Sequence, residues 1–180
     1  LAQSTFSIYD IQRSNVYAAQ GGRALNVAGT LASKGAEWAV AVRPDPAWQV
    51  WANLAYTRAR YEDYVFTGGS FSGNTPPNVA RLLANLGGSY RFSAIWPAEI
   101  GASVRRVGDR FHNDANTVRL LGYTLLDAQA TLQPWPSTKL SLHLRNLTDR
   151  DYAAWADPFY PDQILIGAPR SVELTLQVAF

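Results

Sequence analysis

The last ten residues, SVELTLQVAF (171–180), alternate apolar and polar side chains without a break and close on a bare aromatic ring. A side-chain period of two belongs to a strand with two unlike faces. Val172, Leu174, Leu176, Val178 and Phe180 share one face, and Ser171, Glu173, Thr175 and Gln177 share the other. The fold turns on what the apolar face meets: a protein interior or hydrocarbon.

The pattern recurs upstream. In KLSLHLR (139–145), Leu140, Leu142 and Leu144 oppose Ser141, His143 and Arg145. In LLDAQATLQ (125–133), Leu126, Ala128, Ala130 and Leu132 oppose Asp127, Gln129, Thr131 and Gln133. In WQVWANLAYTRAR (48–60), Trp48, Val50, Ala52, Leu54 and Tyr56 oppose Gln49, Trp51, Asn53, Ala55 and Thr57. Weaker alternation runs over Phe6 to Tyr17, Glu37 to Arg43, Arg81 to Phe92 and Ile100 to Asp109. The reading is all-β, about eight antiparallel strands in an up-and-down meander, with no helix-period segment longer than a turn or two.

Composition narrows the solvent. Of 180 residues, 47% are apolar, 12% aromatic and 17% charged, against about 25% charged in ordinary soluble domains. A net charge of +2 is too mild for a nucleic-acid footprint. There is no Cys, hence no disulfide framework and no thiolate metal site. No run of about 18 apolar residues occurs, so no spanning helix is expected. Two classes remain, a soluble all-β domain and a transmembrane β-barrel. With Leu at position 1 and no Met anywhere, the chain is expected to be a mature product or a piece of a longer one.

The connections alternate in length. Short Pro-containing turns fall at 43–47, 93–99 and 134–138, where Pro fixes φ and cannot donate to a ladder. Longer polar connections fall at 19–33, 62–78, 109–117 and 149–170. Every second connection is short, so short turns share one rim and long loops the other, as in outer-membrane barrels. Trp48, Trp96 and Trp135 border the short turns, with Tyr90, Phe92 and Phe180 at that level, while Tyr56, Tyr61, Tyr64, Tyr123 and Tyr152 lie toward the long loops. Two aromatic belts are what a bilayer selects. The apolar face of 171–180 is therefore assigned to lipid, with Glu173 and Gln177 facing a wet lumen. A soluble β-sandwich or lipocalin-like binder, with that face in its core, is the competing reading.

NLTDRDY (146–152) followed by GAPRSVELTLQVAF (167–180) resembles the C-terminal end of a TonB-dependent outer-membrane receptor of the siderophore class. GYTLLDAQATLQ (122–133) resembles a late strand of that family, and GNTPPNV (73–79) its entry to a down-going strand, with Ala80 where a further Pro is common. SKGAE (33–37) and FSIYDIQRSNVYA (6–18) resemble a strand start and the strand before it. The resemblance implies a barrel of about 22 strands with a plugged lumen, of which residues 1–180 supply the last third. The plug domain and TonB box would lie outside these residues. It further implies uptake of a ferric siderophore or similar chelate, coupling to the TonB complex, assembly by machinery that reads Val172, Leu174, Leu176, Val178 and Phe180, and contact with outer-membrane lipid and lipopolysaccharide. The location implied is the outer membrane of a Gram-negative bacterium.

No enzyme signature is present: G-x-S-x-G, the Walker loop, H-E-x-x-H and G-x-G-x-x-G are all missing. His112 and His143 have no second ligand at metal spacing, and Asp149 and Asp151 lack the other oxygens of a calcium loop. No cofactor is expected. Ligand capture, if it occurs on this chain, belongs to the long loops. Tyr61, Tyr64, Phe66 and Phe71 are the stacking candidates. Arg58, Arg60, Arg110 and Arg119 are candidates for attracting an anionic chelate, and His112 is a loop contact. The alternative function is a complete eight-stranded barrel serving as an anchor or passive pore.

Overall fold

In the computed structural model the described residues are 1–16, 18–20, 23–25, 29–66, 69–157, 160 and 163–179, with backbone only for 18–20 and 23–25. Eight long strands form one antiparallel sheet in chain order: β1 Ala2–Ser14, β2 Thr30–Val42, β3 Trp48–Asp63, β4 Leu82–Ser93, β5 Pro97–Val107, β6 Tyr123–Trp135, β7 Thr138–Arg145 and β8 Ser171–Val178. Among the described residues β1 and β8 each pair on one side only, leaving two open edges.

Cross-strand register carries the two-faced pattern across the whole sheet. Trp48, Tyr90 and Ile100 stand in one row, with Ala130, Leu142 and Leu174 continuing it. Because each partner shares its neighbour's face, the apolar sets of all eight strands fall on one convex side. Phe6, Ile8, Trp38, Leu54, Leu86, Ile100 and Leu176 are all exposed there. Leu174 is 67% exposed and Ile8 76%. A sandwich would cover such side chains with a second sheet; here none of the eight strands lies over them. Moving one Leu of this kind from water into hydrocarbon gains about 1.5–3 kcal/mol. The few buried apolar residues sit instead in the loop layer and upper strand ends, including Tyr61, Tyr64, Leu120, Tyr123, Leu125 and Ala156.

The concave side is polar. A cavity of about 630 Å³ is lined there by Trp51, Glu99, Arg105, Asp127, His143 and Arg145, among others. Arg91 pairs with Glu99 at 2.6 Å and Arg145 with Glu173 at 3.2 Å. The sheet thus separates an apolar exterior from a wet interior, as a spanning barrel wall must.

The short turns fall where expected, 43–47 with its expected bounds and the other two narrowed to 94–96 and 136–137 as their strands run on. The Asp45 carboxylate accepts the amides of Ala47 (2.7 Å) and Trp48 (3.1 Å), closing the turn between β2 and β3. Several strand boundaries differ. β1 stops at Ser14 and β2 begins at Thr30, because Ser14 pairs with Thr30 and zips the hairpin earlier than the alternation shows. SKGAE lies inside β2 rather than at its start. Pro97 opens β5, the strand position where a missing amide costs least.

The lower aromatic row stands on the convex face, where Trp48 and Tyr90 have ring centroids 4.6 Å apart and Phe92 stacks on Tyr90. Phe180 and Tyr17 lie outside the described residues. The upper row is a correction. Only Tyr56 of its five tyrosines stands exposed on the convex side, while Tyr61, Tyr64 and Tyr123 are buried. Their strands run on above the bilayer, so these rings pack among loops instead of at the lipid interface.

Candidate functional site: the interlocked loop layer

All four long connections rise from one rim, and each carries a short antiparallel pair. These are Ala18–Gln20 with Arg23–Leu25, Val65–Phe66 with Gly69–Ser70, Arg110–Phe111 with Arg119–Leu120, and Ala153–Ala156 with Ile164–Ile166. The last three loops are tied together by side chains.

Asp114 is the first tie. Tyr61 donates its hydroxyl to Oδ1 at 2.7 Å and Tyr64 donates to Oδ2 at 3.3 Å, joining the loop above β3 to the loop above β5. The two phenol rings meet edge to face at 4.7 Å, and Phe71 stands edge-on to Tyr64 at 5.2 Å with Phe66 beside it at 4.7 Å. Val16 and Leu31 pack against this cluster. Burial pushes the Asp114 carboxyl up, against the lowering effect of its two phenol donors. Burial, then the charge of Asp114, pushes the Tyr64 phenol up.

The second tie uses amide side chains. Asn116 accepts the amide of Thr75 (2.9 Å) and donates to its carbonyl (2.7 Å), and Asn74 donates to the carbonyl of Asp114 (2.8 Å). Asn78 repeats the arrangement with Ala156, accepting its amide at 3.0 Å and donating to its carbonyl at 2.7 Å. Asn78 and Asn116 hold φ of 62° and 56°, a left-handed conformation that Asn tolerates better than most residues.

Arg110 and His112 form the third tie. Arg110 donates through Nη2 to the carbonyls of Ala153 and Ala154, and its guanidinium lies over the Tyr123 ring at 5.5 Å. Tyr123 meets Tyr152 at 4.2 Å, and Tyr152 covers Gly167, where an added Cβ would lie 2.0 Å from the ring. The His112 ring, 2% exposed, reaches the carbonyl of Asp157 through Nε2 at 3.2 Å. Among the described residues no group of three His, Cys, Asp or Glu is placed to hold a metal ion.

The structure therefore gathers Tyr61, Tyr64, Phe66 and Phe71 into one cluster, and bonds Arg110 to the carbonyls of Ala153 and Ala154 and His112 to that of Asp157. Of these six, Phe66 and Phe71 keep partial exposure and the other four are buried. The remaining arginines separate from them. Arg58 and Arg60 share the convex face with Tyr56, and Arg119 pairs with Asp109. Sequence reasoning missed Asp114, Asn116 and Asn78, the residues that do the tying. The available signal was the Asn and Asp of NDAN (113–116) and the two Asn that flank the prolines of NTPPN (74–78), residue types that bond locally and enter left-handed backbone.

At the other end of the same rim, Asn146 ends β7 with φ 50° and is 3% exposed. Its amide donates to Asp127 Oδ1 (2.8 Å), and its side-chain amide donates to the carbonyls of Arg150 (3.0 Å) and Ala168 (3.1 Å). NLTDRDY is thus a knot that returns the chain toward β8. Val172, Leu174, Leu176 and Val178 lie exposed along β8 on the convex side.

Residues 2–147 match the sequence family described as TonB dependent receptor-like, beta-barrel. The ferrioxamine receptor of Yersinia enterocolitica is 30% identical over 159 residues, covering 85% of this chain and 21% of that protein. The ferrichrome outer membrane transporter/phage receptor of Escherichia coli K12 is 26% identical over 184 residues, covering 98% of this chain and 24% of that protein. Among solved structures, the ferric yersiniabactin uptake receptor FyuA of Yersinia pestis superposes with a TM-score of 0.85 at 18% identity, over 99% of this chain and 28% of that one. The chain spans between 21% and 24% of the length of these two curated relatives.

Proposed function

Because this chain belongs to the TonB-dependent receptor β-barrel family, a family of Gram-negative outer-membrane transport proteins rather than enzymes, we propose that its parent protein imports a ferric siderophore or similar chelate by TonB-coupled transport. In this reading residues 1–180 are the C-terminal part of a larger barrel, and the plug and TonB box belong to the rest of that protein. The observation that carries it is the unbroken two-faced register over eight strands, with an apolar convex side, a polar concave side and two open edges. Open edges are what an arc of a wider barrel presents; an eight-stranded pore would pair β1 with β8.

Ligand contact is assigned to the loop layer. Phe66 and Phe71 keep partly exposed faces for stacking, and Tyr61, Tyr64, Arg110 and His112 hold the loops that present them. The β8 side chains Val172, Leu174, Leu176 and Val178, together with Phe180, form the strand the barrel assembly machinery engages. Outer-membrane lipid and lipopolysaccharide surround the wall. The test is iron uptake by a strain lacking the full gene, grown under iron limitation with a panel of hydroxamate, catecholate and carboxylate ferric chelates. Loss of uptake of one class, restored by the gene and dependent on TonB, supports the reading. Unchanged uptake of every class removes it.

A further inference from the structure

The Arg110 guanidinium is a buried charge without a counter-ion. The residue is 4% exposed, and no ion pair among the described residues includes it. Nη2 is engaged by the carbonyls of Ala153 and Ala154, and the face of the group is covered by Tyr123. Nη1 is enclosed as well, yet it makes no hydrogen bond, and among the described residues no other buried side-chain nitrogen or oxygen is left so. The acids around it are turned to other donors. Asp109 holds Arg119 and the Gly122 amide, Asp114 receives Tyr61 and Tyr64, and Asp157 receives the Tyr160 amide. Two carbonyl dipoles and a ring face soften a buried positive charge but do not neutralise it. An unmet charge together with unmet N–H donors is among the costliest arrangements a folded chain can hold.

Enclosure decides what can answer that charge. Arg110 is shut in by its own hairpin, by the Ala153–Ala156 segment and by Tyr123, which Tyr152 backs. Two residues on, His112 fastens the same two loops at the carbonyl of Asp157. A ferric chelate, or a side chain from elsewhere in the parent protein, would have to part these loops to reach Nη1. A monatomic anion needs only the brief local opening that surface loops undergo. Inside it meets a charged donor in a low-dielectric setting, where such a bond is strongest. One guanidinium balances one negative charge, so a monovalent ion leaves the pocket neutral and a dianion such as sulfate does not.

We infer that Arg110 binds a halide ion, chloride in the cell, through Nη1, and that this ion locks the 109–122 loop to the 149–157 segment. The ion is a fixed part of the loop layer, so the inference holds whatever the parent protein imports. It is tested on the full-length receptor, purified in detergent in gluconate salts and then given sodium chloride, bromide or sulfate at matched ionic strength. Hydrogen exchange of the amides in 109–122 and 149–157 should slow saturably with chloride and bromide. The slowing should be about tenfold once the ion stands at ten times its dissociation constant. Sulfate should give no such change. Arg110→Met removes the charge and keeps an unbranched stem; it should lose the halide response, with assembly checked by heat-dependent gel mobility. Crystals of wild-type receptor soaked in bromide should show an anomalous peak beside Nη1, a reading that needs no variant to fold. Exchange in wild type that ignores halide overturns the site, as does a bromide map without that peak. An equal halide response in assembled Arg110→Met would put the ion elsewhere, and an equal response to sulfate would reduce the effect to screening of surface charge; either result also removes the inference.

Discussion

Trp51 of β3 lies across Gly87 of β4, its direct cross-strand partner, so closely that a Cβ added to Gly87 would stand 2.4 Å from the indole. The ring fills the space a side chain would occupy on the concave face and shields backbone that would otherwise be bare. Tyr9 covers Gly35 in the same way between β1 and β2, with its hydroxyl 2.6 Å from Thr57. Gly87→Ala should therefore displace Trp51 and destabilise the wall by about 1–3 kcal/mol. Adding Trp51→Ala should relieve that overpacking. Urea unfolding of the reconstituted receptor, followed by tryptophan emission for the single variant and by gel mobility for both, measures it. Additive losses in the double variant would show that the two residues do not share a space.

Asn78 and Ala156 exchange two hydrogen bonds between loops that lie 78 residues apart in sequence. Removing the side chain leaves a carbonyl and an amide of Ala156 unpaired in a residue that is fully buried, at about 1–3 kcal/mol for each orphaned group. Asn78→Gly keeps the left-handed backbone and loses the bonds, whereas Asn78→Ala loses both. Protease cleavage within 146–170 should rise in both variants and further in Ala. Cleavage unchanged in both would mean that the loop is held by other contacts.

How much of this was legible follows from range. Alternation with period two is local, so the strands, their faces and the sorting of short turns from long loops could be read residue by residue. Asn146 shows where that reading stops. By parity it belongs with Leu140, Leu142 and Leu144, yet a left-handed φ of 50° ends the strand there and turns the residue into the knot with Asp127. Height misleads in the same way: Tyr61 lies toward the long loops, where the sequence places an aromatic belt. Its fate is set by Asp114, 53 residues away on another loop, and no local pattern encodes that meeting. Loop-to-loop ties are long-range and polar, which leaves only composition, the Asn and Asp runs, as a trace.

The Asp114 tie should depend on pH with a definite sign. Burial raises its folded-state pKa, so the folded loops bind a proton more readily than the unfolded chain. Stability of the tie is then fully present below the ordinary carboxylate range and declines as pH rises through the raised value. Asp109 runs the other way. The Gly122 amide, then Arg119, hold its carboxyl below the usual range, so its contribution is lost as pH falls through that lowered value. Asp114→Asn keeps an acceptor for Tyr61 without the buried charge. It should leave the loops as stable or more so at neutral pH and remove the loss seen on raising pH from mildly acidic to neutral. Hydrogen exchange of the 108–122 segment across that window reads the slope, and a slope unchanged in Asp114→Asn would assign the pH dependence to another group.

The two faces of β8 make the last expectation a comparison within a single strand. Leu174 points to the convex side at 67% exposure, and Glu173 points to the concave side, where it meets Arg145 at 3.2 Å. A lysine at the bilayer midplane costs about 2–4 kcal/mol on the lipid face of a barrel, so Leu174→Lys should lower both the folded yield and the resistance to urea. Glu173→Gln removes one member of an exposed ion pair, worth about 0–1 kcal/mol, and should leave both nearly unchanged. A soluble domain with a free convex face would give the opposite ranking, because a lysine there would gain hydration. Barrel assembly in lipid vesicles, measured for the two variants side by side, therefore tests the solvent of this face directly. Equal behaviour of Leu174→Lys and wild type would take hydrocarbon away from β8 and, with it, the spanning wall.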